Sequence, residues 1–213
     1  MDELLATRFL EHLPPAARER ARGRDELEQA LRDSIEAARQ SWPEVSLAAS
    51  EFLPEIARRI PAEDDPVEAL GRMRIPDLYL ACGCLRGDDR AVAGYRSHCL
   101  PGIRIVLRRL DPPGDSAEDV EQMVYLRVFV GAEGRKPRIA LYSARGDLRK
   151  WLQTVAVRTA QNLLRRGNRE RPLPASRVEG LLGSGNNPEM SYIKELYRDE
   201  FNQAFGEALG WMQ

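Results

Sequence analysis

Two groups of side chains in this chain have the types and spacing to engage a charged partner. The stretch GDLRKWLQTVAVRTAQNLLRRGNRER runs from Gly146 to Arg171 and sets Lys150, Arg158, Arg165, Arg166 and Arg169 along an apolar-striped segment. Cations repeated in this way neutralise a phosphate backbone, which is what a nucleic-acid strand presents. Upstream, Glu118, Asp119, Glu121 and Gln122 gather carboxylates and an amide that accept hydrogen bonds from arginines of a partner.

Other chemistry fails on spacing. Cys82 and Cys84 are two apart on a helical stretch, so their side chains diverge by about 200° and do not chelate one metal readily. His98 and Cys99 add potential ligands without completing a site, and His12 stands alone. No nucleophile, base and acid recur at a catalytic spacing, and GSGNNP lacks the lysine of a phosphate loop. The expectation is a binding protein that is not an enzyme and needs neither cofactor nor metal.

The net charge of -1 conceals an asymmetry. Between Arg135 and Arg171 there are eleven lysines and arginines against Asp147 and Glu170, so that window carries +9 and the rest of the chain -10. A cationic surface on a balanced protein suits a phosphate-rich partner, and a solvated helix paired with acidic neighbours is the bland alternative. The three cysteines are an odd number and argue against a disulfide framework. The start, MDELLATRFLEHL, is acidic and amphipathic, and no run of about eighteen apolar residues occurs. A cytoplasmic protein with no membrane partner is expected.

Leu, Ala, Arg and Glu dominate while β-branched and aromatic residues are few, a composition that predicts an all-α fold. Leu4, Leu5, Phe9, Leu10 and Leu13 form a stripe that Pro14 and Pro15 stop. Leu27, Leu31 and Ile35 repeat at intervals of four behind an acidic residue placed as a cap. LAASEFLPEIARRI reads as a third helical piece interrupted by Pro54, and a short helix follows around Val67–Met73. A longer unit starts at Pro76–Asp77. Val92, Tyr95, Cys99 and Ile103 share a face, and Ser116 is placed to cap AEDVEQMVYLRVFV, with Val120, Val124 and Val128 turned to the core. GAEGRKPR is a loop, and Asp147 is placed to cap the helix that carries Trp151.

In order along the chain stand GDDRAVAGYRSHCLPGIRIVLRRL, then AEDVEQMVYLRVF, then YSARGDLRKWLQTVAVRTAQNLLRR. Together they resemble conserved region 2 of bacterial RNA polymerase sigma factors of the extracytoplasmic-function type. Ala117, Glu118, Asp119, Val120, Gln122, Tyr125, Leu126, Arg127 and Phe129 fit the middle motif of that family. Trp151, Leu152, Ala156, Arg165 and Arg166 fit the last one. The resemblance covers 77–166 and departs from the family pattern at two places. Met123 stands where an acid commonly follows the glutamine, and Arg158 stands where asparagine is usual. After Leu181 no helix-turn-helix pair is legible, which suits either a fragment or a protein without the second promoter-reading domain.

The resemblance implies a multi-helix bundle with a sigma region 2-like domain at 76–166; the residues outside it read as an added helical element at 1–75, a glycine- and proline-rich linker at 167–190 and an amphipathic helix at 191–213. It implies a transcription initiation factor. Glu118, Asp119, Glu121, Gln122, Tyr125 and Arg127 would bind the clamp coiled coil of core RNA polymerase. Ser143, Arg145, Gly146, Asp147, Lys150, Trp151, Arg158, Asn162, Arg165 and Arg166 would take the non-template strand of the promoter -10 region, with the 142–147 turn as a pocket for a flipped base. Trp151 has two readings, core packing at the helix start or contact with bases at the fork. An anti-sigma factor is a further expected partner. A non-initiating decoy or regulator built on the same module is the alternative, as is a general single-strand binder.

Overall fold

The structure is a computed structural model and describes residues 4–23, 25–110, 117–131 and 137–167. It is all-helical, with no strand among the described residues. The helices in chain order are α1 (Leu5–His12), α2 (Pro15–Ala21), α3 (Glu26–Ser41), α4 (Ala49–Ala57), α5 (Pro66–Arg72), α6 (Ile75–Leu85), α7 (Asp89–His98), α8 (Leu100–Leu110), α9 (Ala117–Tyr125) and α10 (Leu148–Gly167). Helix α9 runs on into a wider π-helical turn, Leu126–Val130, and a 3-10 turn spans Arg138–Leu141.

Helix α6 is the centre of the bundle because its sequence, IPDLYLACGCL, is apolar all round. Helices α3, α4, α7 and α10 all pack against it. Its buried Tyr79 solves its own polar problem: the hydroxyl accepts from the Leu47 N–H at 2.9 Å and donates to the Val45 carbonyl at 3.1 Å. Gly83 lets α7 come close, since a Cβ there would lie 2.7 Å from the Ala91 Cβ and 3.0 Å from the Val45 Cγ1. The thiols of Cys82, Cys84 and Cys99 line this same packed region, and burial pushes each of them up to about 12.

Buried side chains from both ends of the described residues share one core. Phe9, Leu27, Leu31, Phe52, Leu53 and Ile56 belong to the same cluster as Leu78, Ile103, Val128 and Leu152. The stripe Val120, Val124 and Val128 faces inward as its spacing predicts. No helix among the described residues is long and apolar enough to cross a membrane.

Several local expectations are corrected. Pro54 does not interrupt α4; the Arg58 N–H still donates to the Pro54 carbonyl at 3.1 Å. The N–H that proline lacks would have served the carbonyl of Ser50, an exposed residue in the first turn whose backbone water can satisfy. Pro14 and Pro15 end α1, but Pro15 also opens α2, because its fixed φ suits the first helical position. Arg18 of α2 then donates to the Glu11 and Leu13 carbonyls at 2.9 and 3.2 Å, closing the end of α1. Leu4 is exposed rather than on the core stripe. Asp25 precedes α3 with backbone angles that are already helical, so its side chain makes no cap bond. Val92 is half-buried, and the stretch containing it is two helices that meet at Cys99. Ser116, most of the GAEGRKPR loop, the 167–190 linker after Gly167 and the 191–213 segment lie outside the described residues.

Candidate nucleic-acid interface

Helix α10 begins under a double cap. The Asp147 carboxylate accepts from the Lys150 N–H at 3.0 Å, as its position predicts, and Asp77 at the start of α6 accepts from the Leu148 N–H at 3.0 Å. Asp77 also accepts from the Arg74 Nε at 2.7 Å, and Asp147 lies 3.6 Å from the same guanidinium. This company, chiefly the hydrogen bond to Asp77, raises the Arg74 pKa further.

Most of the described side chains of α10 are buried: Leu148, Trp151, Leu152, Thr154, Val155, Ala156, Val157, Thr159 and Ala160 all face the bundle. Lys150 and Asn162 are exposed, and Arg158 and Gln161 are half-buried. At about 100° per residue, positions 150, 158, 161, 162 and 165 fall within an arc of about 120°. The side chains of Arg165 and Arg166 are outside the described set, so only their place on the helix is known, with 166 just beside that arc. Arg149 and Gln153 turn toward α8 instead, where a Cβ on Gly102 would stand 2.6 Å from the Gln153 Nε2. Arg149 also meets the His98 Nε2 at 2.9 Å.

Trp151 belongs to the core. It is 5% exposed, and its ring lies 5.6 Å from that of Tyr142. Of its two readings, packing at the helix start is the one the burial supports.

The turn ahead of α10 is tightly held. Tyr142 and Ala144 are fully buried, Ser143 and Gly146 are half-buried, and Arg145 is exposed. The Tyr142 hydroxyl donates to the Gly146 carbonyl and sits 3.5 Å from Asp77. The Arg145 N–H donates to the Ser143 hydroxyl at 3.4 Å. Ala144 has φ +62°, a left-handed conformation that an alanine adopts at a cost. Its carbonyl accepts from the Arg74 N–H at 2.8 Å. Arg59 donates from Nε to the Tyr142 carbonyl at 2.6 Å and from a terminal nitrogen to the Ala140 carbonyl at 3.3 Å. Sequence reading missed Arg59 and Arg74 as parts of this site. Only Asp77 carried a signal, as the acid at the start of its helix.

Helix α9 packs between α8 and α10, and its π-helical end meets the 3-10 turn at Arg138–Leu141. Glu121 is already engaged by Arg104 of α8 in a two-pronged pair, at 2.7 and 2.9 Å. Gln122 is exposed, and Arg127 is half-buried. The side chains of Glu118 and Asp119 are outside the described set. Tyr125 joins Tyr95 and Phe129 in an aromatic group, the Tyr95 and Phe129 rings crossing edge to face at 4.5 Å. It also lines an open groove of about 680 Å³ with Val92, Ala93, Arg96 and Ser97. Leu126 and Val130 are exposed on the π-helical end of the same element.

Chemically, the turn with α10 offers fixed backbone and positive charge to an anionic chain, and α9 offers a mixed polar and apolar surface to a protein. No family model matches the chain, and neither a curated protein nor a solved structure matches it.

Proposed function

We propose that this protein is a transcription initiation factor that binds core RNA polymerase through α9 and its π-helical extension, and captures the non-template strand of an opened promoter on α10 and the turn before it. One observation carries the reading. While most described side chains of α10 face the bundle, an outward arc holds Lys150, Arg158, Gln161 and Asn162, and the helix starts at a tightly held turn that exposes Arg145. The motif resemblance over 117–129 and 142–166 is what suggests the strand and the polymerase as partners. Exposed Gln122, Leu126 and Val130, with half-buried Tyr125, support a protein partner on α9. Strand capture of this kind needs no hydrolysis, because binding unstacked bases offsets unpairing.

A pull-down with core polymerase at low salt, followed by run-off transcription, tests the whole. Failure to bind polymerase removes the proposal. Arg145→Glu with Lys150→Glu is expected to weaken binding of a single-stranded oligonucleotide. For two lost phosphate contacts, the slope of log affinity against log salt becomes shallower by about 1.4. An unchanged slope would show that these cations do not meet phosphate.

Met123, standing where the family pattern commonly has an acid, favours one second reading, a regulator that binds polymerase or an anti-sigma partner without initiating. Polymerase binding without any run-off product would select it.

A further inference from the structure

Arg59 is turned into its own protein. Its side chain is 9% exposed and its charge is met by Glu55 at 3.0 Å. The guanidinium instead reaches carbonyls 81 and 83 positions away, those of Ala140 and Tyr142. A planar fork with several fixed donors is the side chain that can hold two carbonyls at once.

The segment it holds has little structure of its own. Between the 3-10 turn ending at Leu141 and the start of α10 at Leu148 there is no regular element, and the segment includes Ala144 in its left-handed conformation. Such a conformation persists where the surroundings over-determine it. Here the surroundings come from the first part of the chain: Arg59 on two carbonyls, the Arg74 N–H on the Ala144 carbonyl, the Arg74 side chain against Asp77 and Asp147. The outcome is a preset turn with Arg145 facing out.

We infer that Arg59 and Arg74 are positioning residues for strand capture: they lock the 142–147 turn into the shape that presents Arg145, and do so without touching nucleic acid. This rests on the function proposed above. The amino-terminal helices thereby set the affinity of a site they do not line.

The test uses the full chain with Arg59→Met, Arg59→Lys and Arg74→Ala, and a single-stranded oligonucleotide carrying 2-aminopurine. Arg59→Met, which keeps the aliphatic stem, is expected to lower affinity about ten-fold, the worth of a charge-assisted hydrogen bond, and to flatten the base fluorescence change. Polymerase binding and helical circular dichroism stay at the wild-type level, and faster amide exchange is confined to 140–148. Arg59→Lys keeps the charge but not the fork, so it stays weak; full recovery by lysine would overturn the positioning role. Arg74 is half-exposed, so Arg74→Ala folds in any case and carries the test if Arg59→Met does not. It keeps the backbone bond to Ala144 and removes the side-chain contacts with Asp77 and Asp147, so a loss of about three-fold is expected, and no loss overturns the role of the Arg74 side chain. A wild type that binds no strand at low salt overturns the functional reading and this role together. Equal binding by wild type and variants overturns the positioning role alone.

Discussion

A chain lacking residues 1–75 is expected not to fold. Removing them takes away Phe9, Leu27, Leu31, Phe52, Leu53 and Ile56 from the shared core and uncovers the sides of α6 on which α3 and α4 pack. Each large buried side chain of this kind contributes about 1.5–3 kcal/mol by burial, against a total stability of about 5–15 kcal/mol for an ordinary domain. The Arg59 bonds to the 140–142 carbonyls go as well. Thermal melting by circular dichroism, with gel filtration, checks this. The full chain should melt cooperatively, and the truncated chain should show no transition and elute as aggregate. A truncated chain that stays monomeric and melts sharply would show that 76–166 stands alone.

The second large effect is at Trp151. Truncation to alanine empties a site that is 5% exposed and leaves Tyr142 without its ring partner, so a loss of about 3–5 kcal/mol is expected. Trp151→Phe should recover most of that stability. Its oligonucleotide affinity, measured well below the melting point, should match the wild type. A Trp151→Phe protein that is stable but loses base-dependent binding would place the indole on nucleic acid and remove the packing assignment.

What the sequence discloses and what it withholds divides by distance along the chain. The cap from Asp147 to the Lys150 N–H is three residues long, and the inward stripe Val120, Val124 and Val128 is a matter of spacing, so both are legible. The same holds for Lys150 and Arg158, whose helical spacing puts them on one outward arc of α10. The second opening residue of the amino-terminal pair of prolines was misleading because a proline that ends one helix also suits the start of the next. The Arg59 fork is illegible for a different reason: nothing local marks one arginine in EIARRI as the one that reaches residues 140 and 142. Arg104 and Glu121 are likewise 17 positions apart, and a run of acids reads as solvated until its partner across the bundle is known. Tertiary bonds from arginine decide how much of the charge is left for a partner.

The three thiols around the central helix have a use of their own. Burial raises the pKa of Cys82, Cys84 and Cys99 to about 12, so at neutral pH they are thiols and not thiolates, and the surrounding side chains keep reagents away. An alkylating agent therefore reaches them when the helices packed on α6 part from it. The rate of labelling is a built-in clock for the opening of this bundle, readable by mass without any added probe.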